Sequence, residues 1–176
     1  MTITQTLRKY PPPQASRKQI DSVQDRGLLN GRVMDELRVF SNAHWVVSHR
    51  RDARYDGYLI ITSEESASEI SDLSDEALSS LGLIMKSCER LLVKVYSPYK
   101  VVFYKLGFSP GFNVHFHVAP VSQALLAEIA HHPGYADGPD GNDAIMFLSR
   151  EYCERPLTVD ESEKQRCAVQ VLRASL

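Results

Sequence analysis

Gly111-Phe112-Asn113-Val114-His115-Phe116-His117-Val118-Ala119-Pro120 sets two imidazoles two residues apart in a run of alternating apolar side chains. Period-two alternation is the signature of a strand, so Asn113, His115 and His117 are expected on one face and Val114, Phe116 and Val118 on the other. A row of polar groups on an otherwise apolar strand requires partners, because an unpaired buried imidazole costs free energy. Neighbouring side chains or a ligand must supply them.

Working outward, Leu37-Arg38-Val39-Phe40 and Trp45-Val46-Val47 are short β-prone runs around the turn-like Ser41-Asn42-Ala43, which predicts a hairpin. Asp56-Gly57 is a turn signal before a strand over Tyr58 to Thr62. Ser74 followed by Asp75 and Glu76 caps a helix whose apolar residues, from Leu78 through Leu81, Ile84, Cys88 and Leu92 to Val95, recur every three or four residues. It ends before Pro98, and Val101 to Tyr104 starts another strand. After Pro120 the pattern predicts helices over 123–132, 144–154 and 160–173, separated by a Gly/Asp/Pro-rich loop. Three strands, a helix and two strands form an α+β domain: an antiparallel sheet of about five strands with a long amphipathic helix on one face, plus C-terminal helices.

The chain has 176 residues, and 43% hydrophobic content is enough for one domain with a core. The organisation expected is an extended polar arm over 1–30, a domain over 31–121 and a helical extension over 122–176 packed on it. A net charge of -2 provides no general attraction to a nucleic acid polymer. No apolar stretch suits a membrane span or a leader, and three scattered cysteines without a CxxC pair fit a reducing cytoplasm.

The histidine strand resembles the active-site strand of the histidine triad (HIT) hydrolases and nucleotidyl transferases, His-x-His-x-His followed by apolar residues and often Pro. Aligning Pro120 with the family proline puts Asn113 at the first His, His115 at the nucleophilic His and His117 at the third. Asp56-Gly57-Tyr58-Leu59-Ile60-Ile61 is similar to the family's Gly-His-hydrophobic strand, and Ile70 to Glu76 to the lead-in of its long helix. About half the chain, Val33 to Pro120, follows the family's order.

The resemblance implies a HIT-like nucleotide phosphohydrolase cleaving at the α-phosphate of a dinucleoside polyphosphate. His115 would be the nucleophile, His117 a phosphate ligand, and Asn113 an amide donor in place of the first His. Asn cannot titrate near neutrality, so good leaving groups would suffer least from that exchange. A second register makes His117 the nucleophile. Tyr58, Ser48 or His49, Phe40 and Gly111 would form the nucleotide pocket, although large apolar residues such as Phe40, Trp45 and Leu59 on short strands are more often core. The resemblance also implies a homodimer and no required metal, with Mg²⁺ able to accompany a polyphosphate substrate.

Two rival functions stand beside this one. The domain could be a nucleotide sensor that keeps the pocket without turnover. Alternatively His-x-His could chelate a metal, but Val118 to Ala127 offers no acidic ligand. His131 and His132 read as helix-end residues, His44 as an exposed turn residue, and Asp160 to Glu163 as the first turn of a helix. Arg50-Arg51-Asp52-Ala53-Arg54 reads as a charged loop that could attract phosphates only if it faced the histidines.

Overall fold

Ser74 accepts from the Ala77 amide at 3.1 Å and so satisfies one of the free N-H groups that start a helix. From that cap α1 runs Asp75–Tyr96 and closes on Ser97 in the left-handed conformation just before Pro98. The computed structural model describes residues 35–107, 111–135 and 138–176; the arm expected over 1–30 lies outside them. Five strands, β1 (Arg38–Ser41), β2 (Trp45–His49), β3 (Leu59–Ser63), β4 (Lys100–Tyr104) and β5 (His115–Val121), form one antiparallel sheet in the order β1-β2-β3-β5-β4. The histidine strand is therefore interior, paired with β3 on one side and β4 on the other.

Alternation sorts the side chains as the pattern requires. Val114 and Val118 join Trp45, Val47, Leu59 and Ile61 in a core closed by Ile84, Cys88, Leu91 and Leu92 of α1, with Phe116 packed against it. Trp45 is fully buried and donates its indole N-H to the Ala77 carbonyl at 2.9 Å, which ties β2 to the start of α1. Here Trp45 and Leu59 are core residues.

After β5 come α2 (Gln123–His131), α3 (Gly141–Glu151) and α4 (Val159–Ala174). Asp140 and Thr158 begin the last two with reciprocal capping boxes, and the first starts α3 three residues ahead of its apolar pattern. The acidic run does form the first turn of α4, with Glu161 held by Arg155 and by the Thr158 amide. These helices divide between the faces: Val169 and Leu172 of α4 enter the α1 core, whereas Leu125 and Ile129 of α2 and Ala144, Phe147 and Leu148 of α3 cover Tyr58, Ala119 and Val121 on the other side. The sequence pattern located these helices but not the face of the sheet each would choose. No described helix is long and apolar enough to cross a membrane.

The Asp56-Gly57 turn has a steric reason. Gly57 has φ 77°, and a Cβ there would lie 2.5 Å from the Tyr96 ring.

Candidate active site

His115 and His117 share a face of β5, with ring centroids 5.2 Å apart. His115 pairs with Thr62 across to β3; His117 pairs with Ile60 of β3 and with Tyr104 of β4. The His115 Nδ1 lies 2.9 Å from the Asn113 carbonyl oxygen. A carbonyl can only accept, so Nδ1 carries the proton and the Nε2 lone pair is free.

His117 has a different environment. Its ring is 7% exposed and stacks on Tyr104 at 4.8 Å, nearly parallel. Its Nδ1 is 3.2 Å from the Tyr58 hydroxyl, which also contacts the Tyr104 hydroxyl and accepts from Arg50 Nη1 at 2.8 Å. The guanidinium donates into the Tyr58 oxygen, and imidazole is a more basic acceptor for the phenolic proton than a second phenol. We assign His117 Nδ1 as that acceptor, which places the ring hydrogen on Nε2.

Burial, the Arg50 charge and the neighbouring His115 all lower the His117 pKa, to about 3, so the ring is neutral at any ordinary pH. Burial works against the Arg50 charge, but a two-pronged pairing with Asp52, at 2.6 and 3.1 Å, outweighs it. Tyr104 is pushed well above the usual phenol range by burial and by Tyr58, and it stays protonated. Ser149 of α3 approaches its hydroxyl, yet the Ser149 Oγ is buried without a hydrogen-bond partner.

Asn113 precedes the strand proper and donates one amide hydrogen to the Ser63 carbonyl at 3.1 Å. Its second amide hydrogen has no partner among the described residues. Gly111 is exposed at φ 90°, in the turn that leads into the strand. Ser48 is on the histidine face, paired with Ile60 and hence two strand spacings, about 10 Å, from His117. Tyr58 is fully buried against the histidines.

Two expected pocket residues are elsewhere. His49 follows Ser48 by one residue, so strand parity turns it to the opposite face, where it is buried with Nδ1 on the Arg50 carbonyl at 3.0 Å and Nε2 unpartnered. Phe40, beyond a register irregularity between Arg38 and Phe40, packs on the α1 core. That geometry sets both on the α1 side of the sheet, away from the histidine face. Conversely, Arg50 and Tyr104 belong to the histidine group although the sequence did not single them out. For Tyr104 the usable signal was its place on a strand that could flank the histidines; for Arg50 it was Asp52, two residues on, able to neutralise a buried guanidinium.

The ordinary readings of other histidines fit their surroundings. His131 Nδ1 meets the Ala127 carbonyl at 2.6 Å near the end of α2, and His132 packs edge-on against Phe147. Among the described residues no group of three or more His, Cys, Asp or Glu is gathered to hold a metal ion.

The two inward imidazoles predict acid sensitivity. His117 and, by burial, His49 have depressed folded-state pKa values, whereas an unfolded His titrates near 6.5. The unfolded chain therefore takes up protons first, and stability is lost as pH falls from 6.5 towards the folded values. His117 alone should cost about 2 kcal/mol between pH 6.5 and 5. Urea midpoints at pH 7.5, 6 and 5 measure this, and His117→Gln should flatten the slope. A carboxylate such as Glu161, held down to about 2 by Arg155, contributes only below its ordinary 4.5 and is separable by pH.

No protein-family model and no curated protein matches the chain in sequence. Solved structures do match. A Hit-like protein involved in cell-cycle regulation from Bartonella henselae superimposes with a TM-score of 0.57 at 12% identity, over 85% of this chain and 92% of that one. A histidine triad protein from Bradyrhizobium japonicum gives 0.55 at 19%, over 82% and 96%. The diadenosine triphosphate hydrolase of Plasmodium falciparum gives 0.54 at 9%, over 81% and 77%. At such identities the likeness is one of fold. The chain is an α+β protein with the HIT-like fold.

Proposed function

We propose that this HIT-like domain is a nucleotide phosphohydrolase that cleaves at the α-phosphate of a dinucleoside polyphosphate or a related conjugate. The observation that carries the reading is the His115 ring, its Nδ1-H fixed on the Asn113 carbonyl and its Nε2 lone pair free, beside a neutral His117. His115 Nε2 attacks the α-phosphorus, and the bond to the leaving phosphate oxygen breaks with its electron pair on that oxygen. Water then attacks the nucleotidyl-His115 phosphorus and loses a proton to solvent, the N-P bond breaks back onto Nε2, and a nucleoside monophosphate leaves. His117 Nε2-H and the second Asn113 amide hydrogen donate to phosphoryl oxygens. No step calls on a metal, though Mg²⁺ can enter with the polyphosphate as part of the substrate. The activity in the name of the Plasmodium structure is of this kind.

The proposal includes a cytoplasmic setting, with Cys88, Cys153 and Cys167 free. It also includes a homodimer along the outer strand β4, beside which Tyr99 and Leu106 are exposed. Sedimentation should then give about twice the chain mass, and a charged substitution of the exposed Leu106, such as Leu106→Asp, should return a monomer. The activity is tested by offering diadenosine polyphosphates, adenosine phosphoramidate and nucleotide sugars to the wild type, with binding measured in parallel. Release of mononucleotide supports the hydrolase. Binding without turnover would replace it with a nucleotide sensor, the reading that Asn113 favours, and neither result would withdraw both.

A further inference from the structure

We propose that Arg50 is a positioning residue for the nucleotide site: through the Tyr58 hydroxyl it fixes the His117 ring so that Nε2 presents a hydrogen to substrate. The inference rests on His117 serving as a phosphate donor. Four observations combine. Arg50 Nη1 donates to Tyr58 at 2.8 Å, and its carbon Cζ lies 5.0 Å from the Tyr58 ring centroid. Nε and Nη2 are occupied by Asp52, so the group is anchored and its charge is balanced locally. Tyr58 in turn reaches His117 Nδ1 at 3.2 Å.

The fourth observation comes from the other face of the sheet. The buried Gln165 of α4 aims its Nε2 at the carbonyls of Arg50, Arg51 and Ala53, at 2.9, 3.2 and 3.2 Å. Two amide hydrogens are shared among three carbonyls, which pins the loop carrying Arg50. A solvated surface arginine would have neither restraint.

The groups around His117 are His115 on β5, Tyr104 on β4, Tyr58 and Arg50 with Asp52 on the connection between β2 and β3, and Ser149 on α3. Cys153 lies near Arg50, with its thiol pushed up to about 12 by burial. Arg50 carries the fixed positive charge in this set. Its loss should therefore change the protonation behaviour of His117, not merely the packing.

The test compares wild type, Arg50→Met, Arg50→Lys and Tyr58→Phe by imidazole ¹⁵N NMR across pH 3 to 8 and by steady-state turnover. In Arg50→Met the His117 midpoint should rise by about one unit, and kcat should fall about tenfold or more with KM changed less. Arg50→Lys keeps a charge and a donor, so the midpoint should remain low and part of kcat should return. Tyr58→Phe removes the donor and should leave His117 with mixed tautomers. Folded Arg50→Met with an unmoved midpoint and tautomer overturns the proposal. Should Arg50→Met fail to fold, an unchanged tautomer in Tyr58→Phe overturns it. The NMR readings need no substrate, so they judge Arg50 even if wild type proves to hydrolyse nothing and the functional reading fails.

Discussion

His115→Ala is expected to cut turnover of a dinucleoside polyphosphate by about 10⁴-fold or more while nucleotide affinity changes only a few-fold. The variant removes the atom proposed to bond to phosphorus, and the neighbouring His117 is poorly placed to replace it. His117 has its Nδ1 occupied by Tyr58 and its ring covered by Tyr104, and its nitrogen facing substrate carries a hydrogen where a nucleophile needs a lone pair. Binding survives because His117 and Asn113 still donate to the phosphate. Single-turnover measurement with labelled substrate should also trap a nucleotidyl-protein adduct in wild type and none in His115→Ala. If His117→Ala lost the adduct and His115→Ala kept it, the nucleophile would be His117 and the tautomer argument would be wrong.

Trp45→Ala should lower unfolding stability by about 3–5 kcal/mol, read as a shift in urea midpoint at constant slope. Trp45 is completely buried, packs its ring 6.1 Å from Phe116 and donates to Ala77 of α1. The truncation empties a large volume between strand and helix that rigid neighbours cannot refill. Trp45→Phe keeps most of the packing and loses the hydrogen bond, so about 1–2 kcal/mol is expected. Phe116 lies between the two histidines in sequence, so the alanine variant should also loosen their strand. A loss below about 1 kcal/mol would mean that the core collapses to fill the gap, contrary to the dense packing around Trp45.

What could be read in the sequence was whatever depends on local period. Alternation in β5 placed His115 and His117 opposite Val114, Phe116 and Val118, and the Ser74 cap with its three- and four-residue spacing located α1. Parity was harder where the phase of a strand depended on distant pairing. Ser48 and His49 were equally eligible until β2 had a register, and Phe40 followed an irregularity in β1 that no propensity encodes. Arg50 was missed because a run of Arg and Asp resembles a solvated loop. Only the third dimension shows that one arginine of that run turns inward. Tyr58 carried a signal through its place after Gly57; Gln165 carried none, since a glutamine on an amphipathic helix looks like any other polar residue.

The clamp made by Gln165 has a consequence for the order of events in the life of one molecule. The amide that holds the Arg50 carbonyl sits 115 residues downstream of it. During synthesis the strands, the histidines and α1 are made before α4, and contacts between segments so distant along the chain carry a large loop-closure cost. Until α4 docks, the loop bearing Arg50 has its bonds to Asp52 and Tyr58 but lacks the Gln165 clamp. On the proposed reading, a chain whose α4 has not docked carries both imidazoles but lacks the Gln165 contacts that complete the surroundings of Arg50.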